Sequence, residues 1–153
     1  PMSDQLLSEY SKSINDFLAE VDAIAPGDLS KNPKTGGWSV GYVVHHLAVS
    51  SIHFSARFAN ALAENEPKIV PFNEDVYPEK LNYAARDIAA SKAVIAALSI
   101  FTTSLLLGIS ESDWNRISHH PEAGVMKISD ILGKVISHTK AHTEQVKEIK
   151  AAL

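Results

Sequence analysis

The sequence has no cysteine among its 153 residues. That removes disulfides, thiolate zinc sites, iron–sulfur clusters and any cysteine nucleophile. Proline and glycine are scarce, at 7 each, and only 7% of residues are aromatic. Set against 45% hydrophobic residues, these shortages exclude a disordered, collagen-like or low-complexity chain. Neither sign of charge dominates, since 14 basic and 18 acidic side chains leave a formal charge of −4. A dedicated nucleic-acid binder usually shows a basic stripe, so no nucleic acid is expected as a partner. Long apolar runs are missing as well. The apolar stretch Ala93 to Leu107 carries Ser99, Thr102, Thr103 and Ser104 and falls short of the roughly 20 residues that span a bilayer. It reads as a buried helix. The start, Met2-Ser3-Asp4-Gln5-Leu6-Leu7-Ser8-Glu9, is polar and acidic where a secretory signal needs positive charge and then an apolar run. A cytoplasmic protein with no membrane partner is expected, with Pro1 read as a cloning remnant and residues 2–153 as a single domain.

Four segments carry helical periodicity, and nothing alternates with period two over a useful length. The first runs from about Asp4 to Ile24, with Leu6, Leu7, Tyr10, Ile14, Phe17, Leu18, Val21 and Ile24 recurring every three or four residues before Pro26-Gly27. The second begins at Trp38-Ser39, where Ser39 is placed to cap the first free amides, and continues to about Ala63. Its core stripe is Val40, Val43, Val44, Leu47, Phe54, Phe58 and Leu62. The third spans about Tyr83 to Leu107 and is stopped by Gly108; the fourth runs from about Ile128 to Leu153. Two long connections, Glu64 to Asn82 and Ile109 to Lys127, are read as loops, and loops of that length tend to be functional. The fold class is all-α, a four-helix domain.

What the chain has in excess is histidine, with 7 in all. In the last helix Val135, His138, His142, Val146, Ile149 and Leu153 follow an a/d-type seam, while Ser137, Thr139, Lys140, Thr143 and Glu144 fall off it. Two imidazoles four apart project from one helical face and can ligate one metal ion. Facing inward, they need a partner: a metal, or Ser, Thr and carbonyl groups that satisfy them as core histidines. On the second helix, with Leu47 at the centre of the apolar stripe, His46 falls about 100° away on its polar shoulder and His45 about 160° away. His46 is therefore favoured as an inward-reaching third group. His45 and His53 read as surface or inter-helix histidines. Three imidazoles from two helices would leave open positions on an ion such as Zn²⁺ or Ni²⁺, the arrangement of a catalytic site. A water, or a thiol or carbonyl substrate, would fill the vacancy.

Around these residues the chain resembles the DinB/YfiT-like superfamily. Gly36-Gly37-Trp38-Ser39-Val40 followed by Val43-Val44-His45-His46-Leu47-Ala48 is similar to its second-helix signature, and His138-Thr139-Lys140-Ala141-His142 to its fourth-helix His-x-x-x-His. Arg57-Phe58, Glu66-Pro67 with Pro71-Phe72, and His120-Pro121 with Gly124 resemble the bacillithiol-transferase-like branch. The resemblance implies an up-down-down-up four-helix bundle with a divalent metal, zinc or nickel, on His46, His138 and His142. It also implies thiol S-transfer or hydrolysis on a small-molecule substrate, with a low-molecular-weight thiol as a candidate cosubstrate, and a homodimer. Val49, Ser137 and Ala141 depart from the branch, so the metal site transfers better than the reaction does. The alternative is a non-catalytic helical bundle, a binding or stress-associated scaffold with a vestigial metal site.

Among the other candidates, Glu122 in His119-His120-Pro121-Glu122 is a general-base candidate whose spacing requires nothing of it. Trp38 and Trp114 read as packing where loops meet helices. No Gly-x-Ser-x-Gly elbow and no Gly-rich phosphate loop is present.

Overall fold

Ser39 starts the second long helix as its position predicts. Its side chain accepts a hydrogen bond from the Tyr42 amide at 3.2 Å, satisfying one of the free N–H groups of the first turn. In the computed structural model, which describes residues 2–153, that helix is α2 (Val40–Ala63). It is joined by α1 (Met2–Asp22), a short α3 (Tyr77–Lys80), α4 (Ile88–Leu106), a single-turn α5 (Glu111–Trp114) and α6 (Ile128–Ala151). Pro1 lies outside the described residues.

Four long helices form the bundle, α2 packing on α4 and α6, and α1 on the same two. Their directions follow from contacts at the ends. Lys92 near the start of α4 pairs with Asp22 at the end of α1, so these two run antiparallel. A side chain on Gly41 would come within 3.0 Å of Ile88, so α2 and α4 begin side by side and run parallel. The Lys34 amide donates to Ala152 at 2.8 Å, which puts the end of α6 beside the chain that follows α1. The result is the expected up-down-down-up order, and the long connection after α2 is the crossover it demands. Members of the predicted stripes form the core: Tyr10, Ile14, Phe17 and Val21 of α1, Val40, Val43, Val44, Leu47 and Phe58 of α2, and Val135, Val146 and Ile149 of α6 are all buried, joined by Ile131 and Leu132 of α6, which lie outside the predicted seam.

Four expectations need correction. The region read as loop between Ile109 and Lys127 contains a β-hairpin, β1 (Ile117–His120) paired antiparallel with β2 (Gly124–Lys127). Four residues per strand give too little alternation to detect, and Gly124, at φ +77°, closes the short turn. The hairpin has structural partners. Arg116 Nε donates to the Ala61 carbonyl at 2.7 Å and Nη2 to that of Glu64 at 3.0 Å, occupying free acceptors at the end of α2. The Ile69 amide donates to the His119 carbonyl at 2.8 Å and the His119 amide to the Pro67 carbonyl at 2.9 Å, so the crossover is pinned to β1.

The third long helix begins at Ile88, not Tyr83, because Asp87 caps it by accepting from the Ala89 amide at 3.0 Å; Tyr83–Ala85 form a separate 3-10 turn. Nor is that helix buried throughout. Ile95, Ser99, Thr102 and Leu106 face the core, while Ile100, Phe101 and Leu107 are exposed. It is the one helix among the described residues long and apolar enough to cross a membrane.

Finally, Thr139 and Thr143 are buried rather than off the seam. Each hydroxyl donates to the carbonyl four residues back, at 2.8 Å to Val135 and 3.1 Å to Thr139, so neither is left unsatisfied.

Candidate metal centre

The direction of the helices determines where the histidines meet. His46 lies near the start of α2 and His142 near the end of α6, and antiparallel packing brings these two ends together. The three Nε2 atoms of His46, His138 and His142 converge, with separations of 3.1 Å (His46–His142), 3.3 Å (His46–His138) and 3.1 Å (His138–His142). They are the one group of three or more potential ligand residues gathered this closely among the described residues. A tetrahedral ion with metal–nitrogen bonds of about 2.0–2.1 Å needs ligand atoms about 3.4 Å apart, close to the spacing found.

Electrostatics favours the ligating form. Burial pushes His46 from the usual 6.5 down to about 3, and the adjacent rings of His142 and His138 add to the push. Burial, followed by the His142 ring, takes His138 down to about 4. Both are therefore neutral near pH 7, with lone pairs available. Three rings with their Nε2 atoms face to face cannot all satisfy one another, because a hydrogen bond needs a proton on one side only. A shared cation resolves that conflict, so the residues present fit a metal.

Two residues that the sequence reading did not single out complete the surroundings. Gln145 Oε1 lies 2.8 Å from His142 Nδ1. With the amide oxygen accepting, the proton sits on Nδ1 and leaves the Nε2 lone pair for the ion, as outer partners of ligand histidines generally do. Its signal was available, three residues after a ligand on the same helix. Glu74 Oε2 approaches His46 Nε2 to 3.7 Å. Because His46 is neutral, this is not an ion pair; it is a carboxylate held beside the triad. Glu74 opens a 3-10 turn capped by Asn73 in the crossover, where no helical frame gives a sequence-based direction. Replacing Gln145 by leucine is expected to weaken metal affinity about 10–100-fold with the helix intact, as read by chelator competition.

The remaining candidates are spread around the site. The Trp38 ring lies 5.3 Å from that of His46 and Phe54 5.9 Å from His138, so aromatic faces shield two of the rings. His45 is an inter-helix histidine, buried, with Nδ1 2.7 Å from Ser91 Oγ of α4. His53 is half-buried and stacks on Phe72 at 4.0 Å. His119 Nε2 meets Glu66 at 2.8 Å. Glu122 is exposed in the hairpin turn, its amide donating to His120 Nδ1 at 3.1 Å. Trp114 packs into the core.

Comparison with known proteins adds a context for this geometry. The sequence profile of the DinB superfamily matches residues 9–146. A protein of Oceanobacillus iheyensis named "Putative metal-dependent hydrolase OB0782" is 34% identical over 118 residues, covering 77% of this chain and 68% of that protein. A Bacillus cereus protein named "Putative metal-dependent hydrolase" is 27% identical over 158 residues, covering 100% and 90%. Among solved structures, YfiT from Bacillus subtilis, described as "a probable metal-dependent hydrolase with an unusual four-helix bundle topology", superposes with a TM-score of 0.87 at 25% identity over 97% of this chain and 86% of that one. A mycothiol-dependent maleylpyruvate isomerase shares the fold alone, with a TM-score of 0.76 at 12% identity over 94% and 60%.

Proposed function

Since the chain belongs to the DinB superfamily, we propose that it is a metal-dependent enzyme acting on a small molecule, with water or a low-molecular-weight thiol as nucleophile. The observation that carries this reading is the convergence of three imidazole nitrogens at 3.1–3.3 Å. His46, His138 and His142 hold a divalent ion, zinc or nickel, through Nε2; three nitrogen ligands leave room for a further one. When bound, such an ion supplies Lewis acidity that lowers the pKa of a water or thiol and polarises a carbonyl.

The protein's own residues do the rest. Gln145 keeps the His142 proton on Nδ1. Trp38 and Phe54 limit water access around His46 and His138. Glu74 accepts the nucleophile's proton at Oε2, the carboxylate oxygen already placed beside the triad. The segment carrying Glu74 is steadied by Phe72 stacked on His53 and by the Tyr77 hydroxyl 3.5 Å from His53 Nε2.

Elemental analysis of untagged protein is the first test, with about one zinc or nickel per chain expected. Ester, amide and thiol-transfer substrates are then screened on the loaded protein. Glu74→Gln is expected to lower kcat about 10²–10⁴-fold while metal content stays unchanged. A protein that neither contains nor takes up Zn²⁺ or Ni²⁺ overturns the proposal and leaves the non-catalytic scaffold. A Glu74→Gln enzyme of full activity removes Glu74 from the mechanism without touching the ligands.

A further inference from the structure

A second feature lies away from the triad, where α2, the crossover and β1 enclose a cavity of about 170 Å³. Its wall includes His53, Arg57 and Asn60 of α2, Pro67 and Lys68 of the crossover and Ser118 of β1, and no carboxylate. Arg57 is half-buried and makes no ion pair among the described residues; its guanidinium carbon lies 5.0 Å over the Phe54 ring. Burial pulls its pKa below the usual value with no anion nearby to oppose the shift. Lys68 is likewise outside every ion pair among the described residues. Glu66, two positions before it, is already engaged by His119 at 2.8 Å. Ser118 Oγ is buried with no hydrogen-bond partner.

We infer that this cavity is an oxyanion subsite, taking a carboxylate or phosphate group of a small molecule on Arg57, Lys68, Asn60 and Ser118. A guanidinium presents a planar fork of donors that matches either group, and a partly desolvated one without a counter-charge is the state that such a ligand completes. Size sets the limit on the ligand. With about 30 Å³ per liquid water, the cavity holds a group of a few atoms, whereas whole drug-sized ligands occupy about 300–1,000 Å³. His53, pushed down by burial and by the Arg57 charge, contributes an uncharged wall. The inference goes beyond the proposed metal chemistry and does not depend on it, since no triad residue lines the cavity.

The test is calorimetric titration of the purified protein with inorganic phosphate and, separately, with succinate, at ionic strength held constant with potassium chloride. Saturable binding of at least one is expected, weakened tenfold or more in Arg57→Gln and severalfold in Lys68→Gln, and unchanged in Lys12→Gln on the outer face of α1. Phosphate alone, succinate alone or both then distinguish a phosphate pocket, a carboxylate pocket and a shared one. Binding indistinguishable from that of chloride, or equal in wild type and Arg57→Gln, overturns the inference. Should Arg57→Gln lose its helical circular dichroism, the exposed Lys68→Gln decides: unchanged affinity for both anions overturns the inference, and weakened affinity supports it.

Discussion

His142→Ala is expected to lose stoichiometric metal while the bundle remains folded. His142 lies 3.1 Å from each of the other two triad nitrogens and is the ring whose Nδ1 is held by Gln145. Its removal leaves two imidazoles and a gap, so affinity falls by several orders of magnitude. The fold survives because the core contacts of α6 come from Ile131, Leu132, Val135, Val146 and Ile149, all buried and none of them at the triad. His46→Ala is expected to behave the same way with a small added loss of packing, since His46 is buried among Trp38, His138 and His142. Elemental analysis, together with thermal melts with and without added Zn²⁺, reads both. Wild type should melt higher as free metal rises, because a ligand that binds only the native state stabilises it by mass action, and the variants should not respond. Full metal content in both variants would show that the ion, if present, is held elsewhere.

The metal-free protein is expected to lose stability steeply on mild acidification. His46 is held at about 3 in the folded chain against 6.5 in the unfolded one, and its side chain is only 3% exposed. Between those values the unfolded chain binds a proton that the folded chain refuses. Stability from this group is therefore fully present above pH 6.5 and falls as pH drops toward 3, at up to about 1.4 kcal/mol per pH unit. His138, held at about 4, acts in the same direction. Denaturant midpoints of chelator-treated protein at pH 7.5, 5.5 and 4.5 measure the slope, and His46→Asn should flatten about half of it, His138 supplying the rest. A wild-type midpoint that does not move across this range contradicts the assignment of buried neutral imidazoles. With metal present, protons compete for the same nitrogens, and with His46 held at about 3 and His138 at about 4 the ion is expected to leave only as pH falls toward those values.

How much of this was legible in the sequence follows from the range over which each feature is encoded. Ser39 capped its helix as read, because a cap depends on residues three apart. The apolar stripes of α1 and α2 were readable for the same reason, since helical periodicity is local. The hairpin was not. Ile117–His120 and Gly124–Lys127 are individually too short to show a pattern, and their stability comes from Arg116 reaching the end of α2 and from Pro67 and Ile69 bonding to His119. Thr139 and Thr143 misled for a related reason. Their polarity suggested an outward face, yet bonding back to the preceding turn satisfies each hydroxyl and lets it sit in the interior.

By itself, the sequence determined the four long helices, the Ser39 cap and the choice of His46, His138 and His142 as the residues able to share an ion. Those properties depend on neighbours within about one turn or on spacing along one helix. Only the tertiary structure decided that the three nitrogens stand 3.1–3.3 Å apart, that burial holds His46 and His138 neutral, and that Glu74 and Gln145 attend them. Distance across a bundle and burial arise from how the helices pack, and the crossover that carries Glu74 takes its course from contacts far away in the chain. The unpaired charge of Arg57 belongs to the same class, because a missing partner becomes visible only when every neighbour has been placed.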